Sequence, residues 1–177
     1  MGVIMITQQQ ADYLPAPPKH IIEGDTVLER KMYVPSRPIN DRLFMISKDN
    51  DELSFFLEIN QSPKKHLKLT LHFQEAEASI GLLRVDFNGR HKNPELENVH
   101  VPDIFKPYAG QWLEENHIHY FVEGYKPLAW AIPLNNDNTF SVKEFTDAKG
   151  IVSIFQAFRN RINLQTILEI SIQRPLI

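Results

Sequence analysis

The chain has 177 residues, with 19 Lys and Arg against 22 Asp and Glu, 7 His, 12 Pro and no Cys. A formal charge of −3 gives no global field for polyanions, so nucleic-acid binding would need a local basic patch. The missing cysteine excludes disulfide scaffolds, thiolate zinc sites and cysteine nucleophiles, and 42% hydrophobic with 23% charged content excludes disorder, collagen and coiled coil.

A chain of this mass buries about 70% of its unfolded surface, enough for one core. Residues 1–20 read as a peripheral arm and 21–177 as a single α+β domain. The first residues carry no basic n-region and no apolar run of signal-peptide length. No 18 consecutive apolar residues occur, so the expectation is a cytoplasmic protein without membrane contact.

The spacing predicts a helical turn around Thr7–Leu14, stopped by Pro15-Ala16-Pro17-Pro18, because proline lacks a donor and biases its predecessor to extended geometry. Glu29–Val34 and Arg42–Ser47 are plausible strands. Leu53, Phe55, Leu57 and Ile59 then alternate with more polar neighbours. Leu67, Leu69, Leu71 and Phe73 face one way, with Lys68, Thr70 and His72 opposite. Leu83, Val85 and Phe87 oppose Arg84 and Asp86, and Asn88-Gly89 ends that strand as a turn. Alternation of this kind indicates antiparallel pairing with one buried face.

Residues 90–115 lose any period, and a loop this long is usually functional or an insertion. Strands return at His117–Glu123 and Leu128–Leu134 around the connection Gly124-Tyr125-Lys126-Pro127. Ser141 with Glu144 reads as a capping box for a helix carrying Phe145, Ala148, Val152, Phe155 and Phe158, with Gly150 weakening its middle. Leu168, Ile170 and Ile172 suggest a last strand. The fold class is α+β, a curved antiparallel β-sheet packed against one main helix in the C-terminal half.

Equal parity along a strand means a shared face, so His117, His119 and Glu123 project together, away from Ile118, Tyr120 and Val122. If the strands holding Thr70, Asp86 and His119 are neighbours, one solvated sheet surface collects histidines, an arginine and a carboxylate. Two imidazoles beside a cation could shuttle protons and stabilise a phosphorane without metal or other cofactor. His119 would be general acid or base, His117 or His91 its partner, and Arg84 or Arg90 the charge stabiliser.

His117-Ile118-His119 with Glu123 also resembles half of the cupin metal motif. Against this, an uninterrupted strand puts Glu123 about 13 Å from His119, too far for a common ion. Among the aromatics, Trp130 reads as core, whereas Tyr108 and Trp112 could stack bases or fill a partner interface.

The segments Leu82–Gly89, His91 with Asn93-Pro94, His117–Tyr120, Glu123–Tyr125 and Trp130–Leu134 resemble a family of uncharacterised short bacterial and mobile-element proteins. Its members carry a Leu-Arg-x-Asp strand, a His-x-Asn-Pro turn and a His-x-His-x-Tyr strand leading to a Glu-Gly-Tyr bend. The resemblance implies that Arg84, Asp86, His91, Asn93, His117, His119, Glu123 and Tyr125 belong together. It supplies no activity.

Three functions stay open. The first is a mobile-element or toxin–antitoxin-like protein acting on RNA through a metal-independent histidine site. The second is a non-enzymatic protein-binding factor (antitoxin, immunity or anti-defence inhibitor) using the 100–115 loop, and the third a cupin-like metal-binding protein.

Overall fold

The computed structural model describes residues 5–95 and 98–171. Helix α1 (Gln8–Tyr13) begins at a reciprocal cap: Thr7 Oγ1 accepts from the Gln10 amide, and Gln10 Oε1 accepts from the Thr7 amide. Strands β1 (Lys19–Glu23), β2 (Thr26–Leu28), β3 (Arg30–Tyr33), β4 (Asn40–Ser47), β5 (Ser54–Gln61), β6 (Leu69–Glu75) and β7 (Ile80–Phe87) follow. After them come β8 (His91–Lys92), β9 (Trp112–Leu113), β10 (His117–Tyr120), β11 (Trp130–Pro133), helix α2 (Ala148–Ile162) and β12 (Ile167–Ile170).

The main layer is an eight-stranded antiparallel sheet in the order β11-β10-β7-β6-β5-β4-β1-β2. The expected α+β architecture is therefore present, with its one main helix in the C-terminal half. Two short ladders flank the sheet, a parallel β12·β3 pair and an antiparallel β8·β9 pair. Leu57, Ile59, Leu71, Phe73, Val85, Ile118 and Ile132 share one core with Ile154, Phe155, Phe158 and Ile162 of α2. Trp130 belongs to that core, and Leu67, expected there, is partly exposed because it precedes β6. Ile172 of the expected last strand lies outside the described residues.

The helix does not start at Ser141. Asp147 is the N-cap, accepting from the Gly150 amide at 3.0 Å, so Gly150 sits in the first turn. Tertiary bonds hold the preceding segment out of a helix. The Lys143 carbonyl accepts from Asn116 Nδ2 at 3.0 Å, and Phe145 packs edge-on against Phe87. A Cβ at position 150 would come within 2.6 Å of Phe145 Cβ, so glycine there permits this packing.

Buried Lys19 joins three parts of the fold. Its Nζ donates to the carbonyls of Pro15, Pro17 and Ile162, at 3.0, 2.6 and 3.1 Å, and lies over the rings of Phe55 and Phe73. The arm, the sheet and the end of α2 thus meet on one ammonium. Burial lowers its pKa to about 7.

Candidate functional site

Register places two rows of residues from five strands on the sheet face opposite the core, polar on four of the strands. Glu58, His72, Arg84, His119 and Ala131 form one row, and Asn60, Thr70, Asp86, His117 and Pro133 the next. Neighbouring strands do hold Thr70, Asp86 and His117. The expectation of a solvated face fails at this end, because Asp86, His117 and His119 are only 3%, 0% and 3% exposed. The cause is the segment between β7 and β10, which folds back over them. A Cβ on Gly89 would lie 3.1 Å from Asp86 Cβ and 3.5 Å from His117 Cε1. The His91 ring, carried by β8, sits edge-on to His119 with centroids 4.5 Å apart.

Asn93 fixes that segment to the sheet edge. Its side-chain carbonyl accepts from the Ala131 amide at 2.9 Å, and its amide donates to the Ala131 carbonyl at 2.8 Å. One side chain thereby satisfies both outward groups of an edge-strand residue, as a ninth strand would.

Asp86 is the centre. Its Oδ1 accepts from Thr70 Oγ1 at 2.5 Å and from Arg84 Nη2 at 3.0 Å. Its Oδ2 lies 2.8 Å from Arg84 Nε, 3.0 Å from His119 Nε2 and 3.5 Å from His117 Nε2. Burial alone would raise the Asp86 carboxyl pKa. The Arg84 guanidinium and the Thr70 hydroxyl, both donating to it, hold it well below the usual carboxylate range.

The far nitrogens of the histidines are tied to backbone carbonyls. His117 Nδ1 meets Glu115 O at 2.7 Å, His119 Nδ1 meets Leu128 O at 2.9 Å, and His91 Nε2 meets Ala129 O at 2.8 Å. A carbonyl only accepts, so each of these nitrogens carries the proton. In the neutral ring the opposite nitrogen is then a lone pair. For His117 and His119 that opposite nitrogen faces the Asp86 carboxylate, and His117 Nε2 has no hydrogen-bond partner. Burial lowers the His119 pKa to about 4 against the pull of Asp86, so the ring is neutral at pH 7. Burial likewise lowers His91.

Two imidazole nitrogens and a carboxylate oxygen within 4.8 Å of one another form a donor set for a metal ion. Tetrahedral Zn²⁺ with bonds of 2.0–2.1 Å places its ligand atoms about 3.3 Å apart, and the Nε2–Oδ2 separations of 3.0 and 3.5 Å bracket that edge. Nδ1–H donation to backbone carbonyls is the outer support that metal-ligating histidines use.

The remaining residues singled out from sequence lie elsewhere. Glu123 accepts from the Gln8 amide at 2.6 Å and stands 3.9 Å from His100, since the strand ends at Tyr120 and parity is lost. Tyr125 packs edge-on against Trp130. Tyr108 is half-buried, its hydroxyl accepting from Asn136 Nδ2 at 2.6 Å. Arg90 stacks on Trp112, which is 54% exposed, and pairs with Glu114. Thr70 was visible only as one polar position in an alternating strand, and Lys19 gave no sequence signal at all.

Among the described residues no helix is long and apolar enough to cross a membrane. No curated protein and no solved structure shows a significant match to the chain. A family model described as Family of unknown function (DUF6978) matches residues 6–164, and the chain belongs to that family.

Proposed function

We propose that the chain is a metalloprotein holding one divalent transition ion of the Zn²⁺ class on Asp86 Oδ2, His117 Nε2 and His119 Nε2. One observation carries the reading: two buried imidazoles, each tethered through Nδ1 to a backbone carbonyl, turn Nε2 toward one carboxylate oxygen. With neutral rings that arrangement sets nitrogen lone pairs beside an anion, and a cation between them is favourable. Imidazole and carboxylate suit zinc and its neighbours, whereas Mg²⁺ and Ca²⁺ prefer oxygen. Thr70 holds the other carboxylate oxygen, and Arg84 spans both, with Nη2 on Oδ1 and Nε 2.8 Å from Oδ2, so together they orient the group.

The depth of the donors favours this reading over the metal-independent site acting on RNA. A phosphodiester would have to reach nitrogens that are almost wholly covered, whereas an ion needs only a gap of atomic size. The ion would act as a clamp, joining β7 to β10 beneath the segment that carries Gly89 and His91. The test is chelation. Removing metal should lower the thermal midpoint and speed amide exchange in residues 88–116, and Zn²⁺ should restore both. An unchanged midpoint and exchange pattern would reject the clamp.

A second reading rests on Trp112. The clamped segment presents this exposed indole with Arg90 stacked on it, as in protein-binding surfaces rich in Trp and Arg. Co-purification of a partner that is lost in Trp112→Ala and kept in His117→Ala would support a binding role.

A further inference from the structure

A cavity of about 390 Å³ lies away from the Asp86 centre, between α1, the last turn of α2 and the turn at residues 102–105. Its volume is within the range of small-molecule sites. Ile104, Phe105, Phe121 and Ile132 give it apolar walls. Three charged groups open into it: Asp12, Asp137 and Arg161.

Asp137 is fully engaged. Its Oδ1 accepts from the Thr139 amide, the Thr139 hydroxyl and the Phe140 amide, and its Oδ2 accepts from the Tyr120 hydroxyl. Asp12 and Arg161 are not. Among the described residues neither forms an ion pair. Asp12 accepts from Gln8 Nε2 at 2.9 Å, and Arg161 donates Nε to Thr139 Oγ1 at 3.3 Å and rests over the Tyr120 ring. A second cavity of about 230 Å³ also borders Asp12, Tyr120, Phe121 and Arg161, so the guanidinium has open volume on two sides. Its place in the last turn of α2 suits the helix dipole, but that leaves its planar donor edge unused.

We propose that this cavity binds a small zwitterion of the α-amino-acid class with an apolar side chain. The carboxylate lies on Arg161, the ammonium on Asp12, and the side chain against Ile104 and Phe121. With Asp137 saturated by four protein donors, the two charged groups left to meet a ligand, Asp12 and Arg161, select this class. A simple carboxylate would bring its charge beside Asp12, a simple amine would face Arg161, and a neutral apolar ligand would cover the guanidinium without a partner.

The experiment is a titration of the full chain with L-phenylalanine and L-leucine, using 3-phenylpropionate and 2-phenylethylamine as single-charge analogues, followed by amide chemical shifts. Saturable binding of at least one amino acid is expected, with both analogues weaker by about 10-fold or more. Arg161→Gln and Asp12→Asn should each weaken it by a similar factor while the thermal midpoint and zinc content stay as in wild type. Absence of saturable binding by both amino acids up to about 10 mM, equal binding of the analogues, or an unaffected Arg161→Gln variant would overturn the proposal. None of these outcomes bears on the zinc centre.

Discussion

His119 places Nε2 3.0 Å from Asp86 Oδ2 while its Nδ1 donates to the Leu128 carbonyl at 2.9 Å. The backbone thus decides which nitrogen faces the carboxylate, and a neutral ring there presents an electron pair to an anion.

Thr70 supports this geometry from the neighbouring strand, through its 2.5 Å bond to Asp86 Oδ1. Thr70→Val keeps the shape and removes the donor. Zinc affinity should fall by about 10-fold or more, the usual size of a lost outer-shell bond, with the far-ultraviolet spectrum unchanged. Competition with a chromophoric chelator measures it, and an unaltered affinity would show that Thr70 does not orient the ligand.

Asn93 is the edge device. Asn93→Ala leaves the amide and carbonyl of buried Ala131 without their partner. Each orphaned group costs about 1–3 kcal/mol, so the urea midpoint should drop clearly. Asn93→Asp keeps the acceptor for the amide and sets a carboxylate against the carbonyl, and it should be no better than alanine. Wild-type midpoints in both variants would contradict this account.

Lys19 gives the fold a pH dependence of definite sign. Its pKa falls from 10.5 unfolded to about 7 folded, so between those values the unfolded chain binds a proton that the native chain lacks. Its contribution to stability therefore rises with pH between about 7 and 10, and is level below about 7, where both states hold the proton. Unfolding free energies at pH 7 and pH 9 should diverge more in wild type than in Lys19→Met. Parallel pH profiles would place the lysine pKa near its ordinary value.

Leu128 has φ of +60° and seats its side chain where a Cβ on Gly81 would come, 2.7 Å from Leu128 Cδ1. Gly81→Ala should destabilise the chain by about 1–3 kcal/mol through overpacking. Adding Leu128→Ala should make the double variant less destabilised than the sum of the single changes, because the side chain that clashes is gone. Additive effects would mean that the two positions do not meet.

Strands β5 to β7 of the main sheet were legible because a two-residue period with one buried face survives in sequence from Leu53 to Phe87, whereas β1 and β2, short and without that period, were not. The gathering of His117, His119, Arg84 and Asp86 followed from the same parity once the strands were assumed to be neighbours. Their burial was not legible. It depends on the aperiodic segment after Gly89 closing over them, tied down by the Asn93 side chain and the His91 ring, which form no pattern in sequence. Ser141 and Glu144 satisfied a helix-cap spacing, yet packing of Phe145 on Phe87 and the Asn116 bond to Lys143 outweighed it. Asp86 was marked as part of the face, but its place between His117 and His119 required the cross-strand register rather than spacing along one strand.

The most direct measurement is calorimetric titration of Zn²⁺ into the chelator-stripped chain, run beside Asp86→Asn and His117→Gln. The account predicts one site per chain in wild type and loss of that site in both variants. With free zinc at about 100 times Kd the fold gains about 2.7 kcal/mol, a rise of about 5–10 °C in thermal midpoint for a chain of this size. A titration that shows no stoichiometric site in a folded wild-type chain would contradict it.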